Sequence, residues 1–228
     1  MMKKTLFMLT LLLLFGGALT ADKSTFDPTI CPVGPMKFMG EVFITTLHNG
    51  TKNINLSAEV WKGGVAASGG VMTLMGERAT NEREVYHHSL SWISIGAGGM
   101  VRVTFQPPWA TLPLYSAALA APVPLKFISP VSAAHVRVAG PGSLTVSWSG
   151  GTPPYALNIW KSGTGTKVFH RTGIAVGSVD VPLATFSPGL SYSVTVYDAK
   201  RKFAFDHAVD PVSDLGLDQR TNIIINAD

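Results

Sequence analysis

The chain has 228 residues, of which 46% are hydrophobic and 14% are charged, so its composition suits a packed core and excludes intrinsic disorder. Its 23 glycines and 15 prolines, with so few charges, favour an all-β chain rich in turns. The formal net charge of +4 falls to +2 if Lys3 and Lys4 are removed with the N-terminal segment, and the one other basic run, Lys200–Lys202, is interpreted as a solvated turn. We therefore expect no nucleic-acid partner.

The N-terminal segment has the layout of a bacterial secretory signal peptide. Two lysines precede an apolar run from Leu6 to Phe15, and small residues follow it. The run is shorter than the roughly 20 residues that a membrane span needs. We expect residues 1–21 to be cleaved after Ala21, or alternatively after Ala18, and the protein to be exported to the periplasm or cell surface. An uncleaved segment would be its one contact with the membrane.

A single cysteine, Cys31, excludes an intramolecular disulfide, so core packing has to stabilise the exported protein. The preceding "PTI" lacks the small residues of a lipid-modification site. Whether Cys31 is free or pairs with another chain stays open. It lies in residues 22–36, which Pro and Gly mark as an irregular lead-in.

Residues 37–106 are predicted to form an N-terminal β domain. Asn49-Gly50 is a strong hairpin turn signal, and the strand that follows alternates apolar and polar residues. Val101, Val103 and Phe105 are predicted to face inward. The charged stretch Glu77–His88 is interpreted as one helix or a long loop. Residues 107–125 are rich in proline, which cannot donate to a sheet ladder, and are interpreted as a linker.

Residues 126–210 are predicted to form a β-sandwich, because short strands recur between turn residues. In "SWSGGTPPYALNIW", the two glycines and two prolines interrupt regular structure between strands that each end in a tryptophan. We expect this segment to carry the chain from one sheet to the other, with Trp148 as a core residue between the sheets.

This half resembles an immunoglobulin-like or fibronectin-type-III-like module. The resemblance rests on Trp148, the "GGTPPY" crossover and "SPGLSYSVTVYDAKRK", in which Leu190 and Tyr192 match a tyrosine corner. It implies a fold and no particular function, since this sandwich has many functions. In the first half, "ISIGAGGMVRVTF" resembles part of the FecR-type periplasmic domain, although the strand with a "DG" turn that usually precedes it is not evident. That resemblance implies envelope signalling or assembly without enzymatic activity.

No catalytic motif is evident. The sequence has no phosphate loop, no Gly-x-Ser-x-Gly, no His-Glu-x-x-His and no cysteine pair for zinc. His87 and His88 are adjacent, so on a strand they point to opposite faces and are poorly placed to share a metal. We therefore expect a non-enzymatic protein with no cofactor, no metal site and no catalytic residue.

One feature favours binding. If Leu157 and Ile159 face inward, Asn158 and Trp160 face outward, and by the same alternation Tyr197 faces outward on a neighbouring strand. Exposed aromatic residues are typical of protein contacts, and of sugar contacts too. The alternative is that the first domain or the linker packs on this face. The tail, residues 211–228, ends in "NIIIN", which is predicted to add an edge strand to this chain or a neighbour.

These observations favour an exported bacterial envelope protein that binds other envelope proteins or itself as an assembly module. Two alternatives stay open. One is a FecR-like periplasmic regulatory module, and the other is a carbohydrate-binding accessory domain that uses the outward aromatic residues.

Overall fold

A computed structural model describes residues 30–47, 52–91 and 95–228. The predicted signal peptide, most of the lead-in and the Asn49-Gly50 turn lie outside the described residues. The strands on either side of that turn, Met36–Thr46 and Lys52–Lys62, pair in antiparallel fashion along their whole length. Among the described residues, no helix has the length and apolar content needed to cross a bilayer.

The structure is all-β, as the composition predicts. The first half contributes nine strands from its described residues: β1 Met36–Thr46, β2 Lys52–Lys62, β3 Val65–Ala66, β4 Val71–Leu74, β5 Glu77–Arg78, β6 Thr80–Glu82, β7 Val85–Leu90, β8 Met100–Gln106 and β9 Tyr115–Ala120. The second half contributes nine more: β10 Lys126–Ser129, β11 Ala134–Val136, β12 Ser143–Ser149, β13 Tyr155–Lys161, β14 Thr166–Ile174, β15 Ser178–Pro182, β16 Ser191–Tyr197, β17 Arg201–Lys202 and β18 Asp214–Ala227. A 3₁₀ turn at Leu183–Thr185 follows β15.

One large sheet runs through both halves. Its strands follow the order β14-β13-β16-β18-β1-β2-β7-β6, with β11 and β17 paired to β18 and β3 paired to β2. Two smaller sheets cover its inner side. The sheet β5-β4-β8-β9 packs on the first half and the sheet β10-β12-β15 packs on the second. Each half therefore has its own hydrophobic core.

The second half is an immunoglobulin-like sandwich. The segment "SGGTPP" leaves β12 in one sheet and enters β13 in the other, as predicted. Gly150 and Gly151 have φ of +78° and +69°. The chain at Pro124 passes close to Gly150, so a Cβ added to Gly150 would lie 2.0 Å from the carbonyl oxygen of Pro124. Trp148 is buried between the sheets and meets Tyr155 edge to face, with 5.5 Å between ring centres.

Tyr192 forms the tyrosine corner of this sandwich. Its ring is buried, and its hydroxyl oxygen accepts a hydrogen bond of 2.7 Å from the backbone N–H of Ser187. Phe186 packs edge to face on the ring at 5.1 Å between centres. Leu190 is half-buried against the same core. The corner thereby fixes the turn that leads into β16.

The C-terminal strand β18 joins the two halves. Its first part pairs with β1 in parallel, and its second part pairs with β16 in antiparallel fashion and with β11 in parallel. Its inward residues follow a period of two and divide into three groups: Leu215 and Leu217 in the first core, Gln219 and Thr221 at the boundary, and Ile223, Ile225 and Ala227 in the second core. The region predicted as a tail is therefore a central strand of this chain and not an edge strand.

Two other segments differ from the interpretation of the sequence. Glu77–His88 was interpreted as a helix or a long loop, and this is wrong, because the segment forms β5, β6 and most of β7. The turn between β6 and β7 has Arg83 and Glu84 at φ of +51° and +72°, so it is a tight hairpin turn without the usual Asn-Gly signal. The proline-rich residues 107–125 also contain a strand, β9, which pairs with β8.

Candidate binding face

The large sheet has a side turned away from both cores, which we call the outer face. In the second half it is formed by outward side chains of β13, β16 and β18: Ala156, Asn158, Trp160, Ser193, Thr195, Tyr197, Asn222 and Ile224. In the first half it continues on β1, β2 and β7: Glu41, Phe43, Asn55, Ser57, His87 and Ser89. The outer face therefore extends over six adjacent strands.

Trp160 and Tyr197 both lie on the outer face, and both are half-buried. In the register of β13 and β16, Trp160 lies opposite Ser193, whereas Tyr197 lies opposite Ala156. Four residues along a strand correspond to about 13 Å, so the two rings do not touch. They form two separate aromatic contact points on one surface.

A polar row lies between these aromatic residues. Asn158 Oδ1 and His170 Nδ1 share a hydrogen bond of 2.5 Å across β13 and β14. On the other side, the Asn222 amide donates to Ser193 Oγ at 2.5 Å and to Thr195 Oγ1 at 3.0 Å. These cross-strand bonds hold the amide and hydroxyl groups in fixed orientations, which lowers the entropy that a bound partner would cost.

Cations lie against both aromatic contact points. Lys167 Nζ is 4.7 Å from the ring centre of Trp160, and the guanidinium carbon of Arg220 is 5.5 Å from that of Tyr197. Such contacts contribute about 0.5–1 kcal/mol each at exposed sites. They help to orient the rings.

Arg220 also connects the outer faces of the two halves. Its guanidinium carbon lies 3.6 Å from the ring centre of Phe43, and its Nη2 lies 2.9 Å from Glu41 and 3.7 Å from Asp218. Burial raises the pKa of the Asp218 carboxyl to about 6, although Arg220 opposes that shift. The Oδ1 atom of Asp218 and the Nε atom of Arg220 are buried without a hydrogen-bond partner among the described residues.

A second buried carboxyl, Asp198, lies at the boundary between the cores. Burial raises its pKa, against hydrogen bonds that favour the charged form. Its Oδ1 accepts from the backbone N–H of Gln219 at 2.6 Å, and the Gln219 amide donates to the carbonyl of Val123 at 3.0 Å. This polar contact ties β18 to the chain that connects the two halves.

In the first half, the outer face contains an open concavity of about 450 Å³. Phe43, Asn55, Ser57, Glu82 and His87 are among its lining residues. Ser89 donates to Asn55 Oδ1 at 2.7 Å along one wall. Within the described ranges, no group of three or more His, Cys, Asp or Glu side chains is arranged to hold a metal ion.

The structure also shows where the aromatic residues of the predicted linker lie. Trp109 and Tyr115 are buried in the first core, and Leu112 packs against it. They do not cover Trp160 or Tyr197. The sequence interpretation did not include Phe43, Arg220 or Asn222, although the same two-residue alternation along β1 and β18 assigns all three to the outward side.

No protein-family model matches the chain, and a search of curated proteins found no match. The resemblance of the first half to the FecR-type domain therefore stays a prediction. Solved structures that the chain resembles include fragments of titin, DIP-gamma and the OSCAR ligand-binding domain.

Three of these structures are typical. An I-band fragment of titin, I67–I69, is 10% identical, with 86% of this chain and 67% of that chain covered and a TM-score of 0.27. The two-domain DIP-gamma IG1+IG2 structure is 11% identical, with 84% and 98% covered and a TM-score of 0.25. The human OSCAR ligand-binding domain is 16% identical, with 82% and 100% covered and a TM-score of 0.26. The fold assignment rests on the strand order and not on these values.

Proposed function

We propose that the protein is an exported, non-enzymatic module of a bacterial cell envelope that binds a protein partner through its outer face. The observation that carries this proposal is the joint presence of Trp160 and Tyr197 on that face, with oriented polar side chains between them. Aromatic anchors surrounded by polar groups are typical of protein interfaces. Export is supported by the layout of residues 1–21.

The shape of the surface also supports a macromolecular partner. The outer face of the second half is a sheet surface, where the aromatic contact points lie about 13 Å apart. A small molecule does not reach both points, whereas a protein or an extended polymer does. A carbohydrate polymer is the other occupant that this spacing allows, so the experiment has to separate the two.

The experiment compares three forms of residues 22–228 as bait for cross-linked envelope fractions, with quantitative mass spectrometry of the captured proteins. The first form is wild type, and the second carries Trp160→Ala and Tyr197→Ala. The third carries Ile128→Ala, which removes an exposed apolar side chain from β10 in the opposite sheet. We expect a defined set of envelope proteins to be captured by wild type and Ile128→Ala and lost with the double variant.

Capture that is equal for all three forms would reject the outer face as the binding surface. No capture by a monomeric wild-type protein, together with binding to a glycan array that the double variant loses, would replace the protein partner with a carbohydrate.

A further inference from the structure

The contact between β1 and β18 on the outer face contains a partly buried ionic cluster, which we call the junction cluster: Glu41, Asp218 and Arg220. It lies where the large sheet passes from one half to the other, since β18 has β1 on one side and β16 and β17 on the other. Breaking the β1–β18 contact would therefore separate the outer faces of the two halves.

Asp218 is poorly satisfied as a charged group. Its side chain is 12% exposed, its Oδ1 has no hydrogen-bond partner among the described residues, and its Oδ2 lies 3.7 Å from Arg220, beyond hydrogen-bond distance. Arg220 is closer to Glu41, at 2.9 Å. One cation is thus shared unequally by two carboxylates, and the more deeply buried carboxylate has the weaker contact.

Other charged groups that act on Asp218 come from the segment before β17. Asp198 adds a second negative charge, and Lys200 adds a positive one that is already engaged with Asp214 at 2.8 Å. Arg201 acts on Asp198, and its Nε and Nη2 atoms are buried without hydrogen-bond partners among the described residues. The net effect of burial and neighbours is to raise the pKa of Asp218, so its neutral form is more populated than that of an ordinary aspartate.

We propose that the junction cluster is a pH-sensitive clamp, which holds β1 and β18 together more tightly in mildly acidic solution than in neutral solution. Protonation of Asp218 removes a buried negative charge and leaves the Arg220–Glu41 pair intact. The clamp is a property of the free protein and does not depend on what the outer face binds. A partner that contacts both Phe43 and Tyr197 would bind with a pH dependence of the same origin.

The direction follows from the pKa of Asp218, which is about 6 in the folded protein against an ordinary value of 3.8. The folded form then holds its proton more strongly than the opened form, so acidification stabilises the closed contact. The gain appears as the pH falls through about 6 and is complete near the ordinary pKa. From these two values, the closed contact is favoured about tenfold more at pH 5 than at pH 7.5.

Amide hydrogen exchange of the full mature chain tests the clamp. Protection factors of β1 and β18 amides, corrected for the intrinsic rate, are measured at pH 5 and pH 7.5 for wild type, Asp218→Asn and Asp180→Asn. Asp180 is an exposed carboxylate that accepts from Thr145 on the opposite sheet, so it is a matched control. We expect the protection factors to be about tenfold higher at pH 5 than at pH 7.5 in wild type and in Asp180→Asn. In Asp218→Asn this tenfold difference should be lost.

A carboxyl NMR titration completes the test, with an expected midpoint near pH 6 for Asp218. Neither amide exchange nor the titration depends on partner binding. The clamp and the proposed binding face can therefore be rejected independently of each other. Equal pH dependence in wild type and Asp218→Asn would overturn the clamp. So would a dependence that Asp198→Asn removes and Asp218→Asn keeps, because the responsive group would then be Asp198.

Discussion

The guanidinium of Arg220 stacks on the ring of Phe43, with its central carbon 3.6 Å from the ring centre. The contact joins the last strand of the chain to the first strand of the described residues, across a parallel pairing. Since Nη2 of the same guanidinium lies 2.9 Å from Glu41, the arginine is held by a ring and a carboxylate together. Arg220 is 22% exposed, so these contacts are only partly screened by solvent.

Replacement of Arg220 by Ala should lower the free energy of unfolding by about 2 kcal/mol at pH 7, because it leaves two carboxylates without their cation. It should also make stability fall more steeply as the pH rises, since the Asp218 carboxyl loses the main charge that lowers its pKa. Urea unfolding at several pH values measures both effects. Arg171→Ala, at the exposed edge strand β14, is the control and should change stability by less than about 0.5 kcal/mol.

The two halves should unfold together, because β18 supplies inward residues to both cores. Leu217→Ala and Ile225→Ala remove fully buried side chains from the first and second core, and each should cost about 2–4 kcal/mol. Fluorescence is followed in two backgrounds, in which either Trp109 or Trp148 is the single tryptophan. Both reporters should show the same shifted transition for either substitution. Ile224→Ala, on the outward side of the same strand, should cost under about 1 kcal/mol.

Separate transitions, in which Leu217→Ala affects Trp109 alone and Ile225→Ala affects Trp148 alone, would show that the halves are independent domains. The predicted boundaries at residues 107–125 would then describe the folding units in spite of the shared strand.

The tyrosine corner allows a sharp comparison between two similar residues on one strand. Tyr192→Phe removes the hydroxyl that accepts from the Ser187 N–H and leaves a donor without its partner, which should cost about 1–2 kcal/mol. Tyr197→Phe removes a hydroxyl from the half-buried outward residue of the same strand and should be close to neutral. Thermal unfolding of both variants checks this, and equal effects would contradict a role for the Ser187 hydrogen bond.

Gly150 should tolerate a side chain far less well than Gly163, although both have positive φ, at +78° and +82°. An added Cβ at Gly150 would lie 2.0 Å from the carbonyl oxygen of Pro124, whereas at Gly163 nothing lies within 4 Å. Gly163→Ala should therefore cost only the conformational term of about 1 kcal/mol, and Gly150→Ala should cost about 3 kcal/mol or more. Similar melting temperatures for the two variants would contradict the close passage of Pro124 beneath the crossover.

How much of this structure the sequence predicts depends on how local each signal is. The crossover after Trp148 was predictable, because Gly and Pro restrict the backbone wherever they occur. The hairpin at Arg83-Glu84 was not, since neither residue is typical of positive φ and the charges favoured a helix or loop. The full length of β18 was not predicted, because only "NIIIN" is clearly apolar. The inward alternation from Leu215 to Ala227 is interrupted by the polar residues Gln219 and Thr221.

The outer face was only partly predictable for a related reason. Alternation assigns Trp160 and Tyr197 to one side of their strands, and this requires no knowledge of the partner strand. The contact of Arg220 with Phe43 depends on the register between β1 and β18, which are separated by more than 160 residues of chain. No local pattern encodes that register.

Trp160 separates the binding proposal from a purely structural account. Its ring is half-buried on the outer face beneath Lys167, and it belongs to neither core. Trp160→Ala should therefore leave the melting temperature nearly unchanged, with a loss under about 1 kcal/mol, while it reduces capture of the envelope partner at least tenfold, as expected for an aromatic anchor.

Trp160→Phe keeps a flat ring under Lys167 and should retain most of the binding, so it distinguishes loss of an aromatic contact from loss of the residue's shape. Calorimetry measures the melting temperature of each variant, and quantitative pull-down with residues 22–228 measures its capture of the envelope partner. A drop of several kcal/mol in stability would mean that the side chain supports the fold, because a cavity in a packed region costs far more than the loss of a surface contact. Unchanged stability with unchanged capture would remove Trp160 from the binding face.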